Sequence, residues 1–147
     1  MMANKWLGSS ASFGNARTYE IQDDYTVKVG DSGTVFFLND TTNSIAVTLP
    51  AISDLSAGWG CKFIVKGTVA STKTYTITQG NAADEFYGHV RDGSADGLGD
   101  IGDGNADTKI QFAATAAPGQ FIEIITDGDN WYCFGSENTT AKLTFEN

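Results

Sequence analysis

The residues that could carry out catalysis are few in this 147-residue chain, and their spacing matches no catalytic pattern. His89 is the single histidine, so any Ser-His-Asp or Cys-His arrangement would have to include it. Neither Cys61 nor Cys133 lies in a nucleophile-elbow sequence such as G-x-S-x-G. Each stands inside an apolar strand pattern, where a free cysteine packs as a small hydrophobe, and one histidine with these thiols makes no zinc site. We therefore predict no enzyme and no cofactor.

The segment 91–107, RDGSADGLGDIGDGNAD, concentrates carboxylates between glycines. Asp100, Asp103 and Asp107 are candidate calcium ligands, because Ca²⁺ takes about six to eight oxygen ligands. The spacing matches neither the EF-hand loop nor the nonapeptide calcium repeat. The pattern favours a long solvated surface loop, with a calcium site as the alternative.

Exposed aromatic side chains could bind sugars by stacking, and Trp59 and Tyr132 are the candidate glycan-binding residues. Successive residues of a strand point to opposite faces of the sheet, so Trp131 and Tyr132 must point in opposite directions. We expect Trp131 in the core. Tyr132 is then expected to be partly exposed or buried between subunits.

Composition and charge exclude several classes of partner. Eighteen acidic residues outnumber nine basic ones, which gives a formal net charge of -9. The basic residues are scattered, whereas nucleic-acid and anionic-lipid binding require clustered Lys and Arg. No apolar run approaches the roughly 20 residues of a membrane-spanning helix. We predict a protein that binds neither nucleic acid nor membrane.

The first 18 residues differ from the rest, and we predict an extended N-terminal arm at 1–18 followed by a β-rich domain at 19–147. The arm is rich in Gly, Ser, Ala and Asn and has no period of 2 or 3.6 residues. Its isolated large side chains admit two interpretations: a frayed terminus, or a segment that orders on a partner. In the second, the partner-binding residues are Lys5, Trp6, Leu7 and Phe13.

From Tyr19 onward the sequence alternates with period two and carries turn residues at short intervals, which is typical of an all-β fold. The clearest strand pair is a hairpin at 120–135, with Asp127–Asn130 as its turn. We predict a single antiparallel β-sandwich or jelly-roll-like barrel of about 8–10 short strands. The pattern does not decide between sandwich and barrel.

The order of the strand motifs carries a family resemblance. It runs DSGTVFFLN (31–39), IAVTLP (45–50), GCKFIVKG (60–67), YTIT (75–78), the Asp/Gly segment, KIQFAA (109–114) and GQFIEIITDGDNWYCFG (119–135). This series resembles the small β-rich capsid decoration proteins and the head- or tail-fibre domains of tailed bacteriophages. The resemblance covers roughly residues 27–135.

The resemblance implies a structural virion protein and carries over no catalytic residues. It implies a decoration, or cement, protein on the capsid surface, assembled in the host cytoplasm and bound to the major capsid protein as a homotrimer. The short chain has no room for a long shaft, which favours a capsid ornament over a fibre. The alternative is a host-receptor or glycan-binding module of a tail fibre or spike.

Overall fold

A computed structural model describes residues 16–93, 99–105, 107–138 and 141–147. These residues form twelve strands and two 3-10 turns, Val29–Asp31 and Ile52–Asp54. The strands are β1 Thr18–Ile21, β2 Tyr25–Thr26, β3 Val35–Leu38, β4 Ile45–Thr48, β5 Gly60–Val65, β6 Tyr75–Thr78, β7 Phe86–Asp92, β8 Ile101–Asp103, β9 Lys109–Phe112, β10 Phe121–Thr126, β11 Trp131–Glu137 and β12 Leu143–Glu146.

The strands make two mixed sheets. The seven-stranded sheet has the order β1-β3-β5-β10-β11-β7-β8, and the five-stranded sheet has the order β12-β9-β6-β4-β2. From β1 to β6 the chain changes sheet after every strand, so β1, β3 and β5 run parallel, as do β2, β4 and β6. The strands from β7 onward are added to the two sheets through antiparallel pairs, except that β7 runs parallel to β11.

The two sheets cover one hydrophobic core. Alternate residues of the strands are buried, as β5 shows with Cys61, Phe63 and Val65 facing inward. The core contains side chains from both sheets, and the largest fully buried ones include Trp131 from the seven-stranded sheet and Tyr75 from the five-stranded sheet. Period-two alternation therefore placed the core correctly, Trp131 included.

The predicted all-β class is confirmed, but the antiparallel arrangement is wrong. Five of the strand pairs run parallel, and the sheets remain separate without closing into a barrel. Alternation reports which face of a strand is buried but not the direction of its neighbour, because that direction depends on distant pairing. Among the described residues, no helix has the length and hydropathy needed to cross a bilayer.

The predicted loop at 91–107 is partly strand. β7 extends to Asp92, and β8 pairs with it antiparallel. The paired glycines Gly88 of β7 and Gly102 of β8 let neighbouring groups approach closely here. A Cβ at Gly88 would stand 1.8 Å from the Cys133 carbonyl oxygen, and one at Gly102 would stand 2.8 Å from the Phe145 ring.

Strand register keeps the two cysteines apart. Cys61 and Cys133 both pair with Ile124, one on each side of β10. Two strand spacings amount to about 10 Å, beyond the Cα separation that a disulfide tolerates. Both thiols are free and buried, and burial raises the pKa of each.

Candidate interaction surface

The outward side of the seven-stranded sheet is rich in apolar and aromatic side chains. We call this surface the aromatic face. Outward positions of a sheet that packs one face on a core are usually polar. Here they include, from β3 to β8, Val35, Phe37, Lys62, Ile64, Phe121, Glu123, Ile125, Tyr132, Phe134, Tyr87, His89, Ile101 and Asp103.

Strand register makes this surface continuous. One row of paired residues crosses six strands, from β3 at one side to β8 at the other. The row reads Val35, Lys62, Glu123, Phe134, His89 and Ile101. A second row, Gly60, Ile125, Tyr132, Tyr87 and Asp103, lies beside it. The Lys62–Glu123 pair separates Val35 from Phe134 in the first row, whereas Ile125, Tyr132 and Tyr87 are direct neighbours in the second. This grouping differs from the scattered surface hydrophobes of an ordinary soluble protein.

Ring contacts order the side chains of the aromatic face. Tyr87 and Tyr132 lie with ring centroids 6.2 Å apart, and Phe134 meets His89 edge-on at 5.5 Å. These cross-strand aromatic pairs favour the sheet and hold the rings in place. The surface is thus preorganised for contact.

A shallow depression of about 520 Å³ opens at the β3–β5 side of the aromatic face. Val35, Ile125 and Phe134 line it with apolar side chains, and Gly33 and Gly60 contribute no side chain to it. Two of these lining residues, Phe134 and Ile125, are 47% and 45% exposed. At the opposite side of the face, Ile101 projects with 65% of its surface exposed.

The aromatic face carries charges of both signs. Lys62 Nζ lies 3.0 Å from Glu123 Oε1, and the same ammonium stands 4.0 Å from the centroid of the Phe121 ring. Arg91 and Asp103 add one charge of each sign at the β7–β8 side. Two further carboxylates, Glu85 and Asp127, accept hydrogen bonds from the Tyr87 and Tyr132 hydroxyls, so the face is slightly acidic and most of the acidic excess lies elsewhere.

The outward side of the five-stranded sheet is different, and we call it the threonine face. Its central residues are Thr48, Thr76 and Thr78, with Gln111 beside them on β9. At one end, Lys109 and Glu146 form an ion pair, and the Thr76 and Thr78 hydroxyls stand within hydrogen-bonding distance of backbone carbonyls of β4. This face is the usual solvated surface of a sheet.

Of the two predicted glycan-binding residues, only Tyr132 lies at the surface. Trp59 is 6% exposed, donates from Nε1 to the Val29 carbonyl at 2.7 Å and packs edge-on against Trp131. It offers no face on which a sugar could stack. Tyr132 lies half-buried on the aromatic face and donates its hydroxyl to Asp127 at 3.0 Å, a bond that raises the pKa of the tyrosine.

The candidate calcium ligands accept hydrogen bonds from backbone amides. Asp100 accepts a hydrogen bond from the Phe145 amide at 2.6 Å, and Asp107 accepts one from the Asp103 amide at 2.9 Å. Burial raises the pKa of Asp107, which weakens the case for a cation ligand. In the described ranges, no three His, Cys, Asp or Glu side chains converge as metal ligands would. Asp100 thus ties the segment before β8 to β12, and Asp107 holds the connection between β8 and β9.

The predicted arm residues Lys5, Trp6, Leu7 and Phe13 lie outside the described residues. The point where the arm joins the domain is described. There Arg17 donates from Nη2 to the Gly30 carbonyl at 2.6 Å and from Nε to the Thr34 hydroxyl at 2.7 Å. Residue 17 is thus fixed beside the Gly33–Val35 rim of the depression.

The aromatic face was missed as a site by sequence reasoning, although its signal is present. Phe121, Glu123 and Ile125 alternate on one side of β10, and Tyr132 and Phe134 lie on the same side of β11. Alternation predicts which side of a strand is buried, and the apolar residues on the opposite side are the signal for the aromatic face. No known protein family, curated protein or solved structure was found to match the chain.

Proposed function

We propose that this chain is a structural virion protein that decorates the outer surface of a phage capsid and stabilises it as a homotrimer. The observation that supports this most is the aromatic face, since a preorganised apolar surface fits protein–protein contact. The proposed localisation is the capsid surface, and the proposed main partner is the major capsid protein. Within this proposal the two sheets are the layers of a β-sandwich.

The charge distribution supports separate roles for the two segments, with capsid attachment assigned to residues 1–18. Residues 1–18 contain Lys5 and Arg17 and no acidic residue, whereas all eighteen acidic residues lie in 19–147. A cationic arm with Trp6 and Leu7 as anchors suits attachment to an acidic lattice that would repel the domain itself. Symmetric copies present several arms at once, so weak contacts multiply.

Capsid co-sedimentation tests this proposal. Capsids that lack the protein are mixed with the full chain, with a chain lacking residues 1–15, and with a Thr76→Glu variant as a surface control. We expect the full chain and the control to sediment with capsids and to raise the temperature at which they rupture. The truncated chain should stay in the supernatant. Failure of the full chain to bind would contradict the decoration role, and binding by the truncated chain would contradict the role of the arm.

A glycan-binding module of a tail fibre is the second candidate, and the Tyr87–Tyr132 pair favours it. Two half-exposed rings 6.2 Å apart could stack on sugar rings. Binding on a glycan array, lost in a Tyr132→Ala variant and kept in Thr76→Ala, would support this candidate. Binding that survives Tyr132→Ala, or no binding to any glycan, would contradict it.

A further inference from the structure

We propose that the aromatic face is the surface through which copies of this chain pack against one another. In each contact, the β8 side of one copy, with Ile101, packs into the depression beside Val35 and Phe134 of the next. The inference rests on the proposed homotrimer and adds the surface that forms it. Four properties of the face argue for this occupant.

The first property is its size. The six strands from β3 to β8 span five spacings, or about 24 Å, and the seven-residue strands β7 and β11 are about 20 Å long. The flat area is about 480 Å², below the roughly 600 Å² per partner at the low end of specific protein interfaces, and a trimer divides it between two neighbours. Each contact then depends on the side chains that project from the face, which suits association of modest affinity.

The second property is its charge. The whole chain carries -9, so two copies brought together at random would repel each other. On the aromatic face, however, Lys62 and Arg91 offset Glu123 and Asp103, and the first pair is already formed within one copy. Two further carboxylates, Glu85 and Asp127, accept hydrogen bonds from Tyr87 and Tyr132, so the face is slightly acidic. Another copy therefore meets less electrostatic repulsion on this face than on the rest of the acidic surface.

The third property is its shape. The face has a projection at one side, Ile101, and a depression at the other, beside Val35. A projection and a hollow at opposite sides of one surface suit a head-to-tail contact, and such contacts form a ring when the rotation between copies closes and a filament when it does not. When three copies turn their aromatic faces to a common axis, Ile101 of each copy can pack into the depression beside Val35 of the next.

The fourth property is the arrangement of the rings. Phe134 lies in the middle of its row, held edge-on by His89 and flanked by the Tyr87–Tyr132 pair. Central, preorganised aromatic residues are the usual anchors of protein interfaces. Tyr132 would then be buried between subunits, one of the two environments that its position in the sequence predicted.

Cysteine cross-linking tests the contact directly. A Val35→Cys/Ile101→Cys variant is oxidised under mild conditions, and its products are separated without reductant. The two positions lie about 24 Å apart within one copy, so they cannot bond to each other. We expect a covalent trimer as the main product. The matched control, Thr26→Cys/Gln111→Cys on the threonine face, should stay monomeric, and the native cysteines are buried.

A chain that stays monomeric when oxidised, or a control that cross-links equally, overturns the inference. Ile101→Lys provides a second test that the fold should tolerate, because Ile101 is exposed on an edge strand. We expect this variant to raise the dissociation constant of the oligomer at least about tenfold. An unchanged dissociation constant contradicts the proposed contact.

The capsid experiment separates this inference from the proposed function. A covalent trimer that fails to bind capsids would contradict the decoration role and leave the interface standing. A chain that binds capsids as a monomer would contradict the proposed interface and leave the decoration role standing. A cross-linked dimer in place of a trimer would support the face as the contact and contradict its three-fold closure.

Discussion

The aromatic face and the threonine face lie on opposite sides of one core, yet their outward residues differ in kind. Both sheets alternate with period two, and both bury their inward residues completely. On the threonine face the outward residues carry hydroxyl and amide groups, and the charged ones form an ion pair. On the aromatic face, rings and branched aliphatic side chains dominate, with the Lys62–Glu123 ion pair among them. The inward residues specify the fold, and the difference between the outward ones indicates which side meets a partner.

Substitutions in the shared core should not distinguish the two sheets, and they should have the largest effects. Phe63 and Ile77 are fully buried under the aromatic and threonine faces respectively. Phe63→Ala should lower the free energy of unfolding by about 3–5 kcal/mol and Ile77→Ala by about 2–5 kcal/mol, because each leaves a cavity. Urea unfolding measures both losses. A loss below about 1 kcal/mol at either site would show that its sheet does not cover a common core.

Glu137 links the two sheets, and its loss should come next in size. Its carboxylate accepts hydrogen bonds from the Ala141, Lys142 and Leu143 amides, where the chain passes from β11 to β12. Glu137→Ala leaves these donors without that acceptor, so unfolding should become easier by about 2–4 kcal/mol. Glu137→Gln keeps one acceptor oxygen and should lose less. Equal urea midpoints for the wild type and the alanine variant would contradict the linking role.

The edge of the seven-stranded sheet should show the smallest effect, and it should depend on pH. Hydrogen bonds from Lys66, then Asn39 and Gln22, lower the pKa of Glu20 to about 2. A carboxyl whose folded pKa lies below its unfolded value of 4.5 stabilises the fold above that pH. The stabilisation is lost as pH falls from about 4.5 to about 2.

Glu20→Gln should therefore flatten the fall of the urea midpoint across that pH range. Glu123→Gln, which removes a carboxylate from the middle of the same sheet, serves as the control and should leave the contribution of Glu20 in place. The Glu20 effect is modest because the group is exposed to solvent. An acid profile identical to that of the wild type would contradict the role of these hydrogen bonds.

The sequence predicts the inside of this molecule better than its outside. The all-β class, the hairpin at 120–135 and the burial of Trp131 follow from local alternation and turn chemistry. The parallel pairing of β1, β3 and β5 does not follow from local patterns. It joins residues 17 to 27 positions apart, and the chain crosses to the other sheet between them. Trp59 was misplaced for a related reason: it precedes β5, where alternation no longer reports which way a side chain points.

The candidate site was predictable only in part. The outward position of Tyr132 follows from the burial of Trp131, and within one chain Tyr132 is partly exposed. The rows that join it to Phe134, His89 and Ile101 depend on β7 and β8. β8 and the last two residues of β7 lie where glycines and aspartates indicated a loop, and their pairing with neighbouring strands overrides that local preference.

The solution mass of two matched charge variants tests the central claim most directly. Phe134→Glu places a carboxylate in the middle of the aromatic face, and Thr76→Glu places one in the middle of the threonine face. At micromolar concentration the wild type and Thr76→Glu should have three times the chain mass of 15.6 kDa, while Phe134→Glu should have the mass of one chain. An unpaired charge in an interface core should raise the dissociation constant about a hundredfold. A monomeric wild type, or a trimeric Phe134→Glu variant, would contradict the account.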